Sequence, residues 1–405
     1  MQHYVAFTHM KRKINLLPFI IIALFIFLLN WYVLSGLVVL VSNQFIVPSF
    51  WLFISVLAAM FFLALSRMSS NGMDLFFKSV VHITLILLTA ELVVSVILIP
   101  GDVYSIFNNG TRSYYWVEFA FVMFILTIFI FLYGMIFGKY NYRVISHELE
   151  FEDLPDAFDG FTISQISDVH AGSFNNRTAV NRGIELINSQ HADLFVFTGD
   201  LVNNKAEEIQ PWISSFSRIK APYGQFSILG NHDYGDYVQW PAEADKIANL
   251  QQLKRYHAEL GFDLLLDRHV EIIKDNQRII LAGIENWGVG FGEQADLKKA
   301  MMGVKDDDFT ILLSHDPSHW EAQVKTFVPK IHLTLSGHTH GMQFGLEAFG
   351  IKWSPVKYRY AHWAGIKVEN GRVLNINRGF GFLGFSGRIG IWPEVTFITL
   401  RKKKR

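Results

Sequence analysis

Apolar residues run almost unbroken through the first third of the chain, then give way to short apolar runs separated by polar turns. The change predicts two regions, residues 1–140 and 141–405. Four segments of the first region, about 14–41, 45–66, 75–99 and 115–137, meet or exceed the roughly 20 residues that cross a bilayer as a helix. Lys11, Arg12 and Lys13 precede the first segment as they would a signal peptide. No small-residue cleavage site follows and three more spans do, so we read the segment as retained. Trp31, Tyr32, Trp51, Tyr114, Tyr115 and Trp116 fall where aromatic side chains collect at membrane interfaces.

Orientation follows from the cations. Lys11, Arg12 and Lys13, then Arg67 and Lys78, then Lys139 and Arg143 mark one side, against Arg112 alone on the other. The positive-inside rule puts both ends of the chain and the second region on the cytoplasmic side of the inner, or cell, membrane. Glu91 lies within the third span and reads as a protonated or hydrogen-bonded group holding the helices together. His82, nine residues away, is half a turn out of phase with it.

In the second region, residues 142–151 alternate as a strand does. Apolar strands follow at 161–166, 194–197, 225–229, 278–284, 309–313 and 331–335. Val180, Ile184 and Ile187 mark a helix between the first two of these, and further helices are predicted at 207–219 and 244–261. The alternation of strands and helices predicts an α/β domain.

Five of the strands end in polar clusters: Ser167-Asp168-Val169-His170, Thr198-Gly199-Asp200, Gly230-Asn231-His232-Asp233, Ser314-His315-Asp316-Pro317 and Gly337-His338-Thr339-His340-Gly341. Ligands of open α/β sheets bind at the carboxyl ends of the strands, so distant clusters of this kind converge there. In an extended backbone His338 and His340 would project to one side and face one cation together. Other histidines lack such a setting. Pro317 puts His319 on a helix surface, and His332 alternates away from the apolar face of its strand. His191, His257, His269 and His362 belong to no motif and read as solvated or packed.

Composition narrows the chemistry. The chain has no cysteine, which excludes disulfides, thiolate metal sites and cysteine nucleophiles. Its formal net charge is zero, so no basic field calls for nucleic acid. Mixed nitrogen and oxygen ligands suit Mn, Fe or Zn better than Ca. There are enough for two divalent cations, which at roughly 3.5–4 Å apart hold a hydroxide and clamp a phosphoryl group in displacement.

Taken in order, Asp168-x-His170, Gly199-Asp200, Gly230-Asn231-His232-Asp233, His315 and Gly337-His338-Thr339-His340 resemble the five blocks of the calcineurin-like metallophosphoesterases. The resemblance covers about residues 150–400 and implies a four-layer α/β/β/α sandwich with a dinuclear site at its top. It implies Asp168, His170, Asp200 and His340 on one metal, and Asp200, Asn231, His315 and His338 on the other. It makes His232 the catalytic histidine, with Asp233 orienting it. One departure is Asn203, where the second block often carries Asp; a contact behind the ligands is what that position would tune.

With a membrane region attached, the chain looks like membrane-associated bacterial phosphohydrolases, some of which cleave the pyrophosphate of UDP-diacylglucosamine. A phosphorylated small molecule or a lipid-linked phosphate is the expected substrate. The basic end, Arg401-Lys402-Lys403-Lys404-Arg405, would sit on anionic headgroups alongside the four helices. The glycine- and aromatic-rich stretch from Gly379 to Trp392 reads equally as a membrane-dipping loop or a packed hairpin. Arg378 and Arg388 within or beside it are candidate phosphate contacts.

Overall fold

A computed structural model describes residues 16–71, 74–107, 110–348 and 350–404. Lys11, Arg12, Lys13 and Arg405, used above, lie outside them. The described residues form two compact units that divide between Leu132 and Tyr133.

The first unit is built from helices α1 (Leu17–Leu40), α2 (Ile46–Asn71), α3 (Leu75–Phe107) and the start of α4 (Tyr114–Ile136). All four are long and apolar enough to span a membrane. Helix α3 runs past the expected end at residue 99, because Pro100 removes a donor without ending the helix. The carbonyl of Ile97, in the turn that Pro100 interrupts, accepts from Trp116 Nε1 at 2.6 Å. Val33, Val94, Leu98, Val117 and Ala120 form the apolar centre of this unit. Glu91 is buried on α3. Arg112 is bound by Asp102, its Nε donating at 2.6 Å, and Tyr32 Oη donates to the same carboxylate at 2.7 Å.

The second unit begins with β1 (Arg143–Phe151), β2 (Thr162–Ile166), α5 (Arg177–Asn188) and β3 (Leu194–Thr198). The helix expected at 207–219 is instead a 3-10 turn, Ala206–Trp212, running into the short α6 (Ile213–Phe216); Pro211 is the cause, since it cannot donate inside an α-helix. Then come β4 (Gln225–Ile228), α7 (Glu243–Leu260), β5 (Asp263–Leu264), β6 (Arg268–Lys274) and β7 (Gln277–Gly283). The remainder is α8 (Leu297–Ala300), β8 (Thr310–Leu313), α9 (Ser318–Ala322), β9 (Leu333–Ser336), the hairpin β10–β11 (Leu346–Ala348, Ile351–Trp353), β12 (Gly365–Glu369), β13 (Arg372–Ile376) and β14 (Glu394–Lys402).

Two six-stranded sheets result, ordered β1-β14-β2-β3-β4-β5 and β12-β13-β9-β8-β7-β6. Strands β2 to β5 are parallel, as are β13, β9, β8 and β7. Ile163, Val196, Ile228, Ile279, Ile311 and Leu333 fill the space between the sheets. Val180, Ile184, Trp212, Phe216 and Leu253 pack on the outer face of the first sheet, and Leu297, Trp320 and Val324 on that of the second. That is a helix–sheet–sheet–helix sandwich, the metallophosphoesterase fold.

The basic end is not a free tail. Arg401 and Lys402 belong to β14, and Arg401, Lys402 and Lys403 pair with Glu148, Asp156 and Glu152 at 3.1, 3.5 and 2.8 Å. Acidic side chains of the β1 edge and the turn after it thus satisfy charges assigned above to headgroups. The 379–392 stretch is packed: Phe380 and Phe382 are buried in the core beside α5, and Arg388 N donates to Gly134 O in the last turns of α4 at 3.1 Å. Two histidines are also placed differently from expectation. His319 is fully buried, bonded to Ser314 Oγ at 3.0 Å and lying 5.0 Å from the Trp287 ring. His332 is buried as well, accepting from Thr310 N at 3.1 Å and stacked on Phe309.

Candidate metal centre

The polar clusters after β2, β3, β4, β8 and β9 meet at the carboxyl ends of the two sheets. Tight backbone, not extended backbone, brings their side chains inward. Asp168, His170, Asp200, His338 and His340 all have positive φ, between 47° and 72°, a conformation that costs a non-glycine residue on the order of 1–3 kcal/mol. Because β9 ends at Ser336, the alternation expected for His338 and His340 does not apply, and the two rings diverge. Gly337, between the end of β9 and His338, is required: a Cβ there would lie 1.8 Å from Ser167 Oγ and 2.4 Å from Asp168 Oδ2.

Two groups of ligand atoms form, Asp168–His170–His340 and Asp200–His315–His338, each set within 4.8 Å of one another. In the first, His340 Nε2 lies 3.0 Å from His170 Nε2 and 3.3 Å from Asp168 Oδ1. In the second, His338 Nδ1 lies 2.9 Å from Asn231 Oδ1 and 3.2 Å from His315 Nε2. Asp200 Oδ2 stands between the groups, 3.5 Å from His170 Nε2 and 3.2 Å from His315 Nε2. Lone pairs of buried nitrogens and oxygens thus face each other with too few protons to join them all. That donor set fits divalent cation binding.

The backbone supports this orientation. His315 Nδ1 donates to Thr198 O at 2.7 Å, which leaves Nε2 free to ligate. Both Asp168 oxygens accept from His338 N at 3.0 Å. Burial pushes His338 down to about 4 and His170 well below the usual range, so both rings are neutral and able to ligate. Burial opposes the charge of Asp168 and Asp200, yet the surrounding histidines, His340 and His315 foremost, hold both carboxyls below the usual range. His315 goes the other way: burial disfavours its charge, but Asp200 raises it to about 10.

His232 lies beside the first group, its ring 5.0 Å from that of His170. Its Nδ1 is 2.8 Å from the Asn203 carbonyl, and its backbone N donates to Asp200 Oδ1 at 2.9 Å. Asp233 does not orient it. The Asp233 carboxylate instead accepts from the backbone N of Asp200, Leu201, Val202 and Gly230 at 2.8–3.2 Å, tying the β3 loop to the β4 loop. Burial and the Asp200 charge push this carboxyl up to about 7. Since a backbone carbonyl does the orienting, Asn in place of Asp at position 203 leaves that contact intact; the Asn203 side chain itself meets Ser173 Oγ.

Comparison with known proteins now decides the family. Residues 161–342 match the model of the calcineurin-like phosphoesterase family, and residues 14–139 match that of the probable calcineurin-like phosphoesterase transmembrane domain. A Bacillus subtilis relative, the uncharacterized metallophosphoesterase YkuE, is 30% identical over 63% of this chain and 84% of its own. The chain belongs to the calcineurin-like phosphoesterases. It is therefore a phosphoesterase hydrolase, and with its four apolar helices a membrane protein. A Danio rerio relative, a transmembrane protein with metallophosphoesterase domain, is 26% identical over 69% of this chain, which spans 62% of that protein's length. Among solved structures, the phosphopantetheinyl hydrolase PptH of Mycobacterium tuberculosis is similar at 11% identity and a TM-score of 0.33, covering 54% of this chain and 89% of its own.

The two arginines singled out in the sequence are not open to a phosphate of this phosphoesterase. Arg378 is buried between Glu347 and Glu394, at 2.7 and 2.6 Å. Arg388 is fully buried, and its guanidinium donates to the carbonyls of Gly379 and Gly381 and faces His340 Nδ1 at 3.3 Å. It stands behind a ligand rather than before a substrate. Sequence reasoning missed Asp316, whose Oδ2 lies 3.4 Å from His338 Nε2. An acidic residue directly after the ligand His315 was the available signal. It also missed the aromatic rim: Tyr237, 4.4 Å from the His232 ring with its Oη accepting from Asn231, and Phe291 and Tyr360 at 4.6 and 5.7 Å from His338. Nothing in the sequence pattern marks those three.

Proposed function

We propose that this phosphoesterase hydrolyses phosphoester or pyrophosphate bonds of a small or lipid-linked substrate with the help of two divalent cations, Mn, Fe or Zn. Asp168, His170, Asp200 and His340 would hold one, and Asp200, Asn231, His315 and His338 the other. The position of Asp200 Oδ2 between a histidine of each group carries this reading. Bound cations would acidify a water and screen the phosphoryl oxygens.

The protein's own part follows from its geometry. Asn203 O accepts the Nδ1 proton of His232, leaving Nε2 to carry or give a proton to the leaving oxygen. Asp233 keeps the two loops that bear Asp200, Asn231 and His232 at a fixed spacing. The soluble domain faces the cytoplasm on this reading, so substrate arrives from that side of the cell membrane.

The full chain, purified in detergent and loaded with Mn, Fe or Zn, is expected to hydrolyse bis(p-nitrophenyl) phosphate. A folded, metal-loaded sample with no turnover for any of the three sinks the proposal. Orientation is tested separately: protease added to intact cells is expected to spare the soluble domain.

A further inference from the structure

Arg378 and Arg388 are spent on the protein, yet one arginine at the rim is not. Arg359 is exposed and lies across two aromatic rings, its Cζ 5.9 Å from the centre of Phe291 and 5.8 Å from that of Tyr360. Those are the rings that border His338, so the guanidinium shares two ring neighbours with a residue of the second ligand group. Among the described residues no carboxylate forms an ion pair with Arg359; Nη2 donates to Val289 O at 2.7 Å, and the guanidinium also hydrogen-bonds the Tyr360 side chain.

The segment that carries it is fixed to the histidine loop at both ends. Ser354 Oγ donates to Gly341 O at 2.7 Å, and Thr339 Oγ1 donates to Trp363 O at 2.7 Å. Between these clamps a 3-10 turn, Pro355–Tyr358, is closed by Arg359 N and Tyr360 N on Val356 O at 2.9 and 2.8 Å. Tyr360 Oη reaches Asp316 Oδ2 at 3.1 Å. A cavity of about 790 Å³ opens beside the rim, lined by Ser318, Arg359, Tyr360, His362 and Lys367. Its one acid, Glu321, is already paired with Lys325 and Lys367. A cation stacked on aromatic rings, lacking a carboxylate and pre-positioned by a clamped turn, is built to receive an anion; a guanidinium matches phosphate oxygens in a two-pronged contact.

We propose that Arg359 binds a second phosphate, carried by the substrate beyond the one that is cleaved, so that the preferred substrates are diphosphate-linked. This rests on the hydrolase reading above and narrows its substrate class. In hydrolysis of such a substrate one water adds across the P–O–P bridge. Its oxygen goes to the phosphorus at the ligand groups, and the bridging oxygen leaves with the bond's electron pair on the phosphate at Arg359. The two protons of the water end on the product phosphates or in solvent.

Calorimetric titration of the Mn-loaded full chain in detergent tests this, with methylenediphosphonate as a non-cleavable diphosphate and inorganic phosphate as the single-phosphate control at fixed free Mn. The wild type is expected to bind the diphosphonate at least tenfold more tightly than phosphate. Arg359→Ala should remove that preference while changing phosphate binding less than twofold, and Arg359→Lys should restore it in part. Equal binding of the two anions by the wild type, or a preference that survives Arg359→Ala, overturns the proposal. So does loss of phosphate binding together with it, which would mean a structural role through Val289. These readings need no turnover, so failure of bis(p-nitrophenyl) phosphate hydrolysis counts against the hydrolase reading alone.

Discussion

Replacing Asp316 with Asn is expected to weaken one of the two proposed cation sites and spare the other. On the proposed ligation His338 gives Nδ1, beside Asn231 and His315, to the cation; Nε2 then carries the ring's proton and points at Asp316 Oδ2 from 3.4 Å. The carboxylate is fully buried; its other oxygen accepts from Ser318 N at 2.7 Å. Asn fits the same space, but only one of its two arms accepts. With the amide oxygen kept by Ser318, the NH2 faces the His338 Nε2–H, donor against donor. His338 then either loses its support or moves its proton to Nδ1, the nitrogen needed for the cation. Removing such a partner of a ligating histidine costs about 10–100-fold in metal affinity, or about 1.4–2.8 kcal/mol. Competition with a calibrated chelator on the detergent-solubilised chain would resolve two equivalents. One should weaken by that factor while the other, at Asp168, His170 and His340, stays within about twofold. If neither equivalent moves, or both weaken together, Asp316 does not act through His338 and the division into two sites is wrong.

Other expectations bear on different parts of the site. His232→Ala should retain both cations, measured by elemental analysis, and lower kcat by about 10²–10⁴-fold. Because Asp200 holds His315 protonated, at about 10 in the cation-free protein, loading must displace that proton. Apparent metal affinity should therefore rise with pH between 7 and 9, and calorimetry in buffers of different ionisation enthalpy should report proton release. Burial lowers His257 to about 3 and His319 and His332 to about 4, so the folded protein keeps them neutral where the unfolded chain takes up protons. Stability should be intact above about pH 6.5 and fall as pH drops below it. His257 alone accounts for about 2 kcal/mol by pH 5, and the loss between pH 7 and pH 5, read from thermal unfolding of metal-free protein, should be smaller in His257→Gln.

What the sequence made legible and what it hid separate along physical lines. Apolar strands ending in polar clusters are local patterns, and with them came the sheet ends and the candidate ligands. The hidden features depend on partners far along the chain. Strand β14 lies antiparallel to β2 across 230 or so intervening residues, and its last two residues, Arg401 and Lys402, belong to the stretch read as a basic end. Divergence of His338 and His340 goes with a left-handed backbone at both, where His338 N is held by the distant Asp168 carboxylate. Hydropathy cannot show that the carbonyl of Asn203, rather than the carboxylate of Asp233, meets His232.

Arginine is the sharpest case, because Arg359, Arg378 and Arg388 carry the same charge in the sequence. Arg378 is neutralised by Glu347 and Glu394, one before it and one after, while Arg388 is enclosed by carbonyls of its own loop. A guanidinium already held by carboxylates gains little from a phosphate, since the anion must first displace charge-assisted bonds of comparable strength. Of the three, Arg359 has no carboxylate partner among the described residues; the Val289 carbonyl, the Tyr360 side chain and the Phe291 ring face hold it, which leaves its charge for an incoming anion. Which arginine can bind substrate is thus decided by the acids around it rather than by its distance from the histidine motif.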